Sequence, residues 1–352
     1  MVVTLDDTKR NALAVKLADM KLLQELLINN EEQFLRDCTD SEISNNFRKM
    51  LDDDRQNQGI LETVIIQYGI QKKPDKTVQK IAETVRQFMK SDELSFWEKV
   101  FQHELLKHQQ VMNGLTIHKA AQKVGADVMA AIGPLNTVNF ENRAHQEQLK
   151  GILEVLGVRE LTGQDADQGI WARVQDAIAA ISGVVGSAVT QTSDKQDMNI
   201  QDILRMDHNK VNTLFTEILQ SNNAQKIQEY FGQLYKDLNV HAAAEEEVLY
   251  PRVRPFYGDA NTQELYDEQA TMRTVLAQLQ KISPASAEFK EQIRLLMDDV
   301  TDHVRQEENT MFAAIRNNMS TQESEELASQ FKAAKSRIQQ QMEGARTQAQ
   351  RV

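Results

Sequence analysis

One pattern occurs twice in the chain, as His241-Ala-Ala-Ala-Glu245-Glu246-Glu-Val-Leu-Tyr250 and as His303-Val-Arg-Gln-Glu307-Glu308-Asn-Thr-Met-Phe312. In both copies a glutamate lies four positions after the histidine, and apolar residues occupy the same later positions. An upstream pair of segments, 204–211 and 265–272, matches in the same way. Four amphipathic segments arranged as a tandem repeat predict two helical hairpins, which pack as an antiparallel four-helix bundle.

The spacing of four between histidine and glutamate places both side chains on one helix face, one turn apart. Leucines share that face, so we expect it to be buried. Buried imidazole and carboxylate groups are costly unless something compensates them, and a metal ion does so. A mixed nitrogen and oxygen ligand set without a thiolate favours iron or manganese. An ordinary polar cluster in a bundle core is the alternative. The predicted metal ligands are His208, His241, Glu245, His303 and Glu307.

The repeat region resembles the hemerythrin family, in the form called the HHE cation-binding domain. The resemblance covers about a third of the chain and depends on Asp207-His208 together with the two quoted segments. It implies a non-haem di-iron centre, with two Fe in the domain. In such a centre Glu245 and Glu307 would bridge the irons, His208 and His241 would bind one iron, and His303 the other.

One position departs from the family pattern, because Gln269 stands where the third helix of the family carries a histidine. The resemblance then leaves the second iron with His303 and the bridges, unless Glu268, Tyr266 or Glu308 replaces the missing ligand. We expect a protein that binds or senses dioxygen or peroxide, or handles iron. The alternatives are a di-iron oxidase or peroxidase, and a stress-related helical interaction protein that binds metal incidentally.

The first half of the chain also predicts a helical bundle, and it resembles ferritin-like bundles. Apolar stripes run along two segments, Phe101 to Leu115 and Val138 to Leu156, and each stripe includes one histidine. A glutamate lies four residues before each histidine, which differs from the usual ferritin-like spacing of three. This domain is predicted either to bind metal or to hold only polar pairs. Its candidate ligands are Glu31, Glu62, Glu104, His108, Glu141 and His145.

The fold class predicted from these patterns is all-α, with an N-terminal ferritin-like bundle and a C-terminal hemerythrin-like antiparallel four-helix bundle. The first bundle is predicted to span residues 1–160, and a connecting helix and linker residues 161–198. The metal-binding bundle is predicted to span residues 199–319, and a C-terminal helix and polar tail residues 320–352.

The chain is acidic, with 40 basic and 52 acidic residues among 352 and a net charge of −12. This charge, with no evident basic patch carrying interleaved aromatics, predicts that nucleic acid is not a partner. The single Cys38 excludes an internal disulfide and fits a reducing compartment. We find no signal peptide, and the apolar stretch 177–189 is too short to span a bilayer. These features predict a cytoplasmic protein without a membrane partner, and the C-terminal stripe allows a homo-oligomer.

Overall fold

The computed structural model describes residues 8–166 and 198–349, and every regular element in those two ranges is a helix. The all-α prediction is confirmed. The connecting helix and linker predicted for residues 161–198 lie outside the described residues, apart from residues 161–166 and 198. Within the described ranges, no helix is both long and apolar enough to cross a membrane.

Six helices form the first region. α1, α2, α4 and α6 are the long ones, and they enclose two apolar clusters, one at each end of the bundle. The short α3 packs on α1, and the short α5 packs on α4 and on the first helix of the second region, Ile200–Gln220. The bounds are α1 Thr8–Asp37, α2 Ser41–Tyr68, α3 Lys76–Lys90, α4 Phe96–Val124, α5 Ala126–Ala131 and α6 Leu135–Thr162.

Side-chain hydrogen bonds cap the N-termini of three of these helices, α2, α3 and α4. At α2, Asp40 accepts hydrogen bonds from the second and third backbone N–H groups of the helix. At α3, Asp75 accepts from the N–H of Thr77, and at α4, Ser95 forms a capping box with Glu98. Each of these helices therefore begins directly after a residue whose side chain caps it.

The apolar stripe predicted for the core side of α4 faces solvent. Phe101, Leu105 and Met112 are 39%, 45% and 48% exposed. The opposite face is polar in sequence, yet His103 and Lys107 on it are completely buried. The prediction was wrong because these polar side chains find charged partners inside the bundle, which removes the cost of burying them.

The second region is the predicted antiparallel four-helix bundle with one further long helix packed against it. Two of its long helices each pass through one π-helical turn and continue as a short α-helix. The bounds are α7 Ile200–Gln220, α8 Ala224–Ala244, the π-turn Glu245–Leu249, α9 Tyr250–Tyr257, α10 Asp259–Leu279, α11 Ala287–Gln306, the π-turn Glu307–Met311, α12 Phe312–Asn318 and α13 Thr321–Ala349.

Contacts at the end of α2 join the two regions. Gly69 ends α2 with a φ of 81°, a left-handed conformation that favours glycine. The Nζ atom of Lys210 on α7 donates to the carbonyls of Gln67 and Tyr68, at 2.6 and 3.2 Å. From α13, the amide of Gln339 donates to the carbonyl of Ile66 at 2.9 Å. The buried lysine thus satisfies backbone carbonyls that the helix end leaves unpaired.

Candidate metal centre

Both π-turns begin at a glutamate of the repeated pattern. The N–H of Tyr250 donates to the carbonyl of Glu245, and the N–H of Phe312 donates to that of Glu307, so each bond spans five residues. A π-turn inserts one residue into a helix, and such insertions are frequent at functional sites. Each turn brings an aromatic residue onto the helix face that carries the histidine and the glutamate.

Four of the five predicted ligands lie together in the bundle core. His208, His241, Glu245 and Glu307 each offer an atom, and these atoms lie within 4.8 Å of one another. Glu245 and Glu307 are completely buried. The Nε2 atom of His303 lies 3.3 Å from Glu307 Oε1 on the other side of the glutamate, outside the four-residue group. The structure therefore shows one compact set of ligands and a fifth residue beside it.

Each histidine of the site is oriented by a carboxylate on its Nδ1 atom. His241 donates to Asp207 at 2.9 Å, and His208 donates to Glu308 at 2.8 Å. His303 donates to Glu268 at 2.6 Å. These bonds leave all three Nε2 atoms turned toward the buried glutamates, which is the orientation that metal-bound histidines require.

Two polar side chains occupy the space between Glu245, Glu307 and His303. The hydroxyl of Tyr250 donates to Glu307 Oε1 at 3.0 Å and lies 3.5 Å from His303 Nε2. The amide of Gln269 donates at 2.6 Å to Glu245 Oε2 and at 2.6 Å to the Tyr250 oxygen. Gln269 therefore holds the carboxylate of Glu245 by a hydrogen bond.

None of the three substitutes proposed for the missing third-helix histidine points into this space. Glu268 and Glu308 bond the Nδ1 atoms of histidines, on the sides that face away from the buried glutamates. Tyr266 donates its hydroxyl to the carbonyl of Glu246 at 3.1 Å. Tyr250, which sequence reasoning missed, fills the position, and its only signal in the sequence is the aromatic residue repeated five positions after each glutamate.

The donor atoms of the cluster fit a metal ion. His208 Nε2, Glu245 Oε1 and Glu307 Oε2 are buried and make no hydrogen bond, although His208 Nε2 and Glu307 Oε2 are only 3.4 Å apart. Buried polar atoms are rarely left without a partner. Two imidazole nitrogens and two carboxylates also form the mixed ligand set that suits iron.

The electrostatic environment of the cluster favours a cation. Burial lowers the pKa of His241 and of His303, but nearby carboxylates outweigh it and raise each pKa to about 10. Burial raises the pKa of Glu307, but His303 and His208 outweigh it and hold that pKa well below its usual range. The carboxylates that attract protons to the imidazoles attract a metal ion equally, so metal and protons compete for this site.

The N-terminal candidates do not assemble into a site of this kind. Glu62 pairs with Lys21 near the surface. Glu104 and His108 both accept hydrogen bonds from the amide of Gln146 at 2.9 Å. Glu141 is half-buried on α6. Glu31, His145 and Glu104 are the buried candidates, and in the described ranges the sole group with metal-ligand geometry is the C-terminal one.

The core of the N-terminal bundle instead contains a lysine surrounded by acceptors. Lys107 is completely buried, and its Nζ atom forms an ion pair with Asp54. The same atom lies 3.0 Å from His145 Nδ1 and 3.6 Å from Glu31 Oε1. The Nε2 atom of His103 lies 3.2 Å from Glu31 Oε1, and burial with the Lys107 charge lowers the pKa of His103 to about 3. An ammonium group thus supplies the central positive charge of this core.

Residues 199–315 match the family model described as "Hemerythrin HHE cation binding domain". The chain is also 72% identical over 349 residues to a protein of Nostoc sp. strain PCC 7120, covering 99% of both chains. The chain belongs to the same family as this relative, and its residues 199–315 are a hemerythrin HHE domain. No solved structure matches the chain.

The name of the Nostoc relative corrects one of our predictions. That protein is named "DNA nickase", which points to a nucleic-acid partner, whereas the net charge of −12 led us to expect none. The prediction was wrong because net charge sums over the whole surface, and an acidic chain can still carry a local basic region. The hemerythrin resemblance of the C-terminal part is confirmed, since the HHE model covers the segments that carry it.

A lysine outside the HHE domain completes the support of one ligand. Lys335 on α13 is buried, and its Nζ atom donates to Asp207 Oδ1 at 2.5 Å. The other oxygen of Asp207 accepts the bond from His241. Phe331, one turn earlier on α13, packs edge-on against the His241 ring with centroids 6.0 Å apart. The C-terminal helix therefore holds the Asp207 and His241 pair from both sides.

We predict that Lys335→Met lowers the affinity of the HHE domain for a divalent metal by about 10- to 100-fold, the usual cost of losing an outer support of a ligand. The reason is that Asp207 loses its cation and no longer fixes the imidazole. Competition titration of Mn²⁺ against a chromophoric chelator measures this. The matched control is Arg337→Met, which removes an ion pair between α13 and exposed Glu247. Equal affinities in the two variants would contradict the prediction.

Proposed function

We propose that this protein is a metal-dependent DNA-nicking protein whose metal ion is held by the HHE domain. The observation that carries the proposal is the buried group of two histidines and two glutamates with unsatisfied donor atoms. The name of the relative, which is similar over nearly the full length of both chains, supplies the proposed activity.

Iron is the metal we propose, with His208, His241, Glu245 and Glu307 as its ligands and His303 as a weaker ligand to a second ion. A bound iron ion would supply redox chemistry with dioxygen or peroxide. The protein's own residues hold and orient the ligands and exclude bulk water. Gln269 and Tyr250 fill the second half of the site, so the two ions of the di-iron prediction would bind with unequal affinity.

Because the proposed ligands are buried, a small molecule can reach the metal more easily than DNA can. A pocket beside the cluster is lined mainly by apolar side chains, among them Val211, Leu238, Met272 and Val300. A DNA backbone cannot reach the completely buried carboxylates of Glu245 and Glu307, whereas dioxygen and peroxide are small enough to enter such a pocket. We therefore propose that the DNA strand is nicked oxidatively. The experiment must distinguish this route from hydrolysis of the phosphodiester bond.

The test uses supercoiled plasmid and protein that has been loaded with ferrous iron and freed of unbound metal. We expect conversion to the open circle in the presence of dioxygen or peroxide, and loss of conversion without oxidant. Nicks that a DNA ligase reseals would indicate hydrolysis and contradict the oxidative route. At equal total iron, Glu307→Gln should nick far less than the parent, while Glu247→Gln, an exposed change, should match it. Nicking that is independent of metal, or equal in all three proteins, would overturn the proposal.

A further inference from the structure

A short segment of the N-terminal region departs from the acid character of the chain. Residues 72–90 contain six basic and two acidic residues, a net charge of +4 in a chain whose net charge is −12. They form the end of a loop and the whole of α3. We overlooked this segment because no aromatic residue interrupts its first cluster of lysines. The basic residues are Lys72, Lys73, Lys76, Lys80, Arg86 and Lys90.

The basic side chains of this segment are displayed to solvent. Lys72, Lys73, Lys76 and Lys80 are all exposed, and within residues 8–166 and 198–349 none of the four forms an ion pair with a carboxylate. We call these four lysines the basic patch. Lys16 of α1 adjoins it, because Lys16 pairs with Asp19 and Asp19 accepts the N–H of Asp75 at 2.7 Å. The patch thus holds several unneutralised charges within about two helical turns of one another.

The apolar face of α3 is already occupied. Val78, Ala82, Val85 and Met89 are buried in the main cluster of the N-terminal bundle. A basic amphipathic helix that binds a lipid surface needs its apolar face free to enter the membrane. On α3 only Ile81 and Phe88 are exposed among the large apolar residues. The available surface of α3 is therefore a charged one, which suits an anionic polymer in water better than a bilayer.

The basic patch also begins at the junction with the metal-binding region. Gln71, the residue before it, donates to Ser336 Oγ at 3.0 Å and to Gln339 Oε1 at 2.9 Å on α13. Ser336 follows Lys335, which bonds Asp207 in the support of the metal centre. A polymer held on the patch would lie against the same junction that carries the outer support of the site.

We propose that the basic patch, formed by the start of α3 and the loop before it, is the surface that binds the DNA backbone, an inference that rests on the proposed nicking function. Lysine side chains neutralise backbone phosphates as point charges, and each contact displaces counterions that were condensed on the duplex. An exposed group of lysines is therefore suited to binding DNA phosphates. Four phosphate contacts correspond to a slope of about −3.6 in a plot of log affinity against log salt concentration. The binding is expected to be independent of sequence, since phosphate contacts position a duplex without reading it.

The test compares the full-length parent with two quadruple variants of equal net charge. The first changes Lys72, Lys73, Lys76 and Lys80 to Gln. The control changes four exposed lysines dispersed over other helices and a loop, Lys119, Lys123, Lys226 and Lys281, to Gln. Anisotropy of a labelled duplex at several NaCl concentrations gives affinity and salt slope, plasmid conversion gives nicking, co-sedimentation with anionic vesicles gives lipid binding, and metal titration shows whether the HHE site is intact.

We expect the patch variant to lose at least about tenfold in DNA affinity and most of the salt slope, with metal affinity unchanged, while the control stays close to the parent. Equal losses in both variants, or none, would overturn the inference and leave the nicking proposal standing. A parent that neither binds nor nicks DNA would overturn both. Loss of binding to anionic vesicles with DNA binding intact would assign the patch to lipid and overturn the inference.

Discussion

Replacing Glu245 or Glu307 by alanine is expected to abolish stable metal binding by the full-length protein. Each carboxylate is completely buried and lies next to the Nε2 atom of a histidine, with Glu245 Oε1 3.1 Å from His241 and Glu307 Oε2 3.4 Å from His208. Losing an outer support of a ligand costs about 10- to 100-fold in affinity, so losing a ligand itself should cost at least about 100-fold. Elemental analysis after gel filtration, and titration with Fe²⁺ under nitrogen, measure the effect.

Glu246 and Glu247 follow Glu245 in the same π-turn and provide the controls. Glu246 forms an ion pair with Arg273 and Glu247 with Arg337, both at the periphery of the bundle. Alanine at either position should leave the metal content at the parental level. If all four variants lost metal equally, the loss would come from general damage to the bundle, and our assignment of the ligand face would be wrong.

Replacing Lys107 by methionine is expected to destabilise the N-terminal region by about 3 to 5 kcal/mol, the usual cost of removing one partner of a buried ion pair. Methionine fills a similar volume but leaves Glu31 and Asp54 without the ammonium group between them. Both tryptophans precede residue 198. Urea unfolding followed by tryptophan fluorescence therefore reports on this half of the chain.

A surface ion pair of the same type is the matched control. Lys150 pairs with Glu147 on α6 at 2.6 Å, and both side chains are about half exposed. Lys150→Met should change the free energy of unfolding by less than about 1 kcal/mol. A small effect of Lys107→Met would mean that the N-terminal core tolerates its carboxylates without the lysine, and that the lysine is not its central charge.

The C-terminal site was accessible to sequence reasoning because its information is local and repeated. Two histidines and two glutamates at a spacing of four must share a helix face, and the repeat supplies a second helix with the same chemistry. The other residues that contact the site are brought to it by the folded structure, and the spacing of residues along one helix does not predict those contacts. Tyr250 reaches the glutamates through a π-turn, and Lys335 arrives from a helix outside the repeat.

In the N-terminal core, helical periodicity predicted the wrong buried face of α4, and the cause is physical. Helical periodicity assigns apolar residues to the inside, and on α4 that rule selects Phe101 and Met112, which are exposed. The core side of α4 carries His103 and Lys107, whose burial is tolerated only because Glu31 on α1 and Asp54 on α2 face them. A single helix read alone contains no sign of those charges on neighbouring helices.

The C-terminal helix has a consequence for dissecting the molecule. A fragment cut at the boundary of the HHE domain would keep every proposed metal ligand, yet it would lose Phe331 from beside the His241 ring and the ammonium group of Lys335 from Asp207. It would also uncover the apolar cluster that α13 closes. A fragment that keeps the full metal affinity should therefore extend past Lys335. Residues 199–315 expressed alone should bind metal more weakly than the intact chain does.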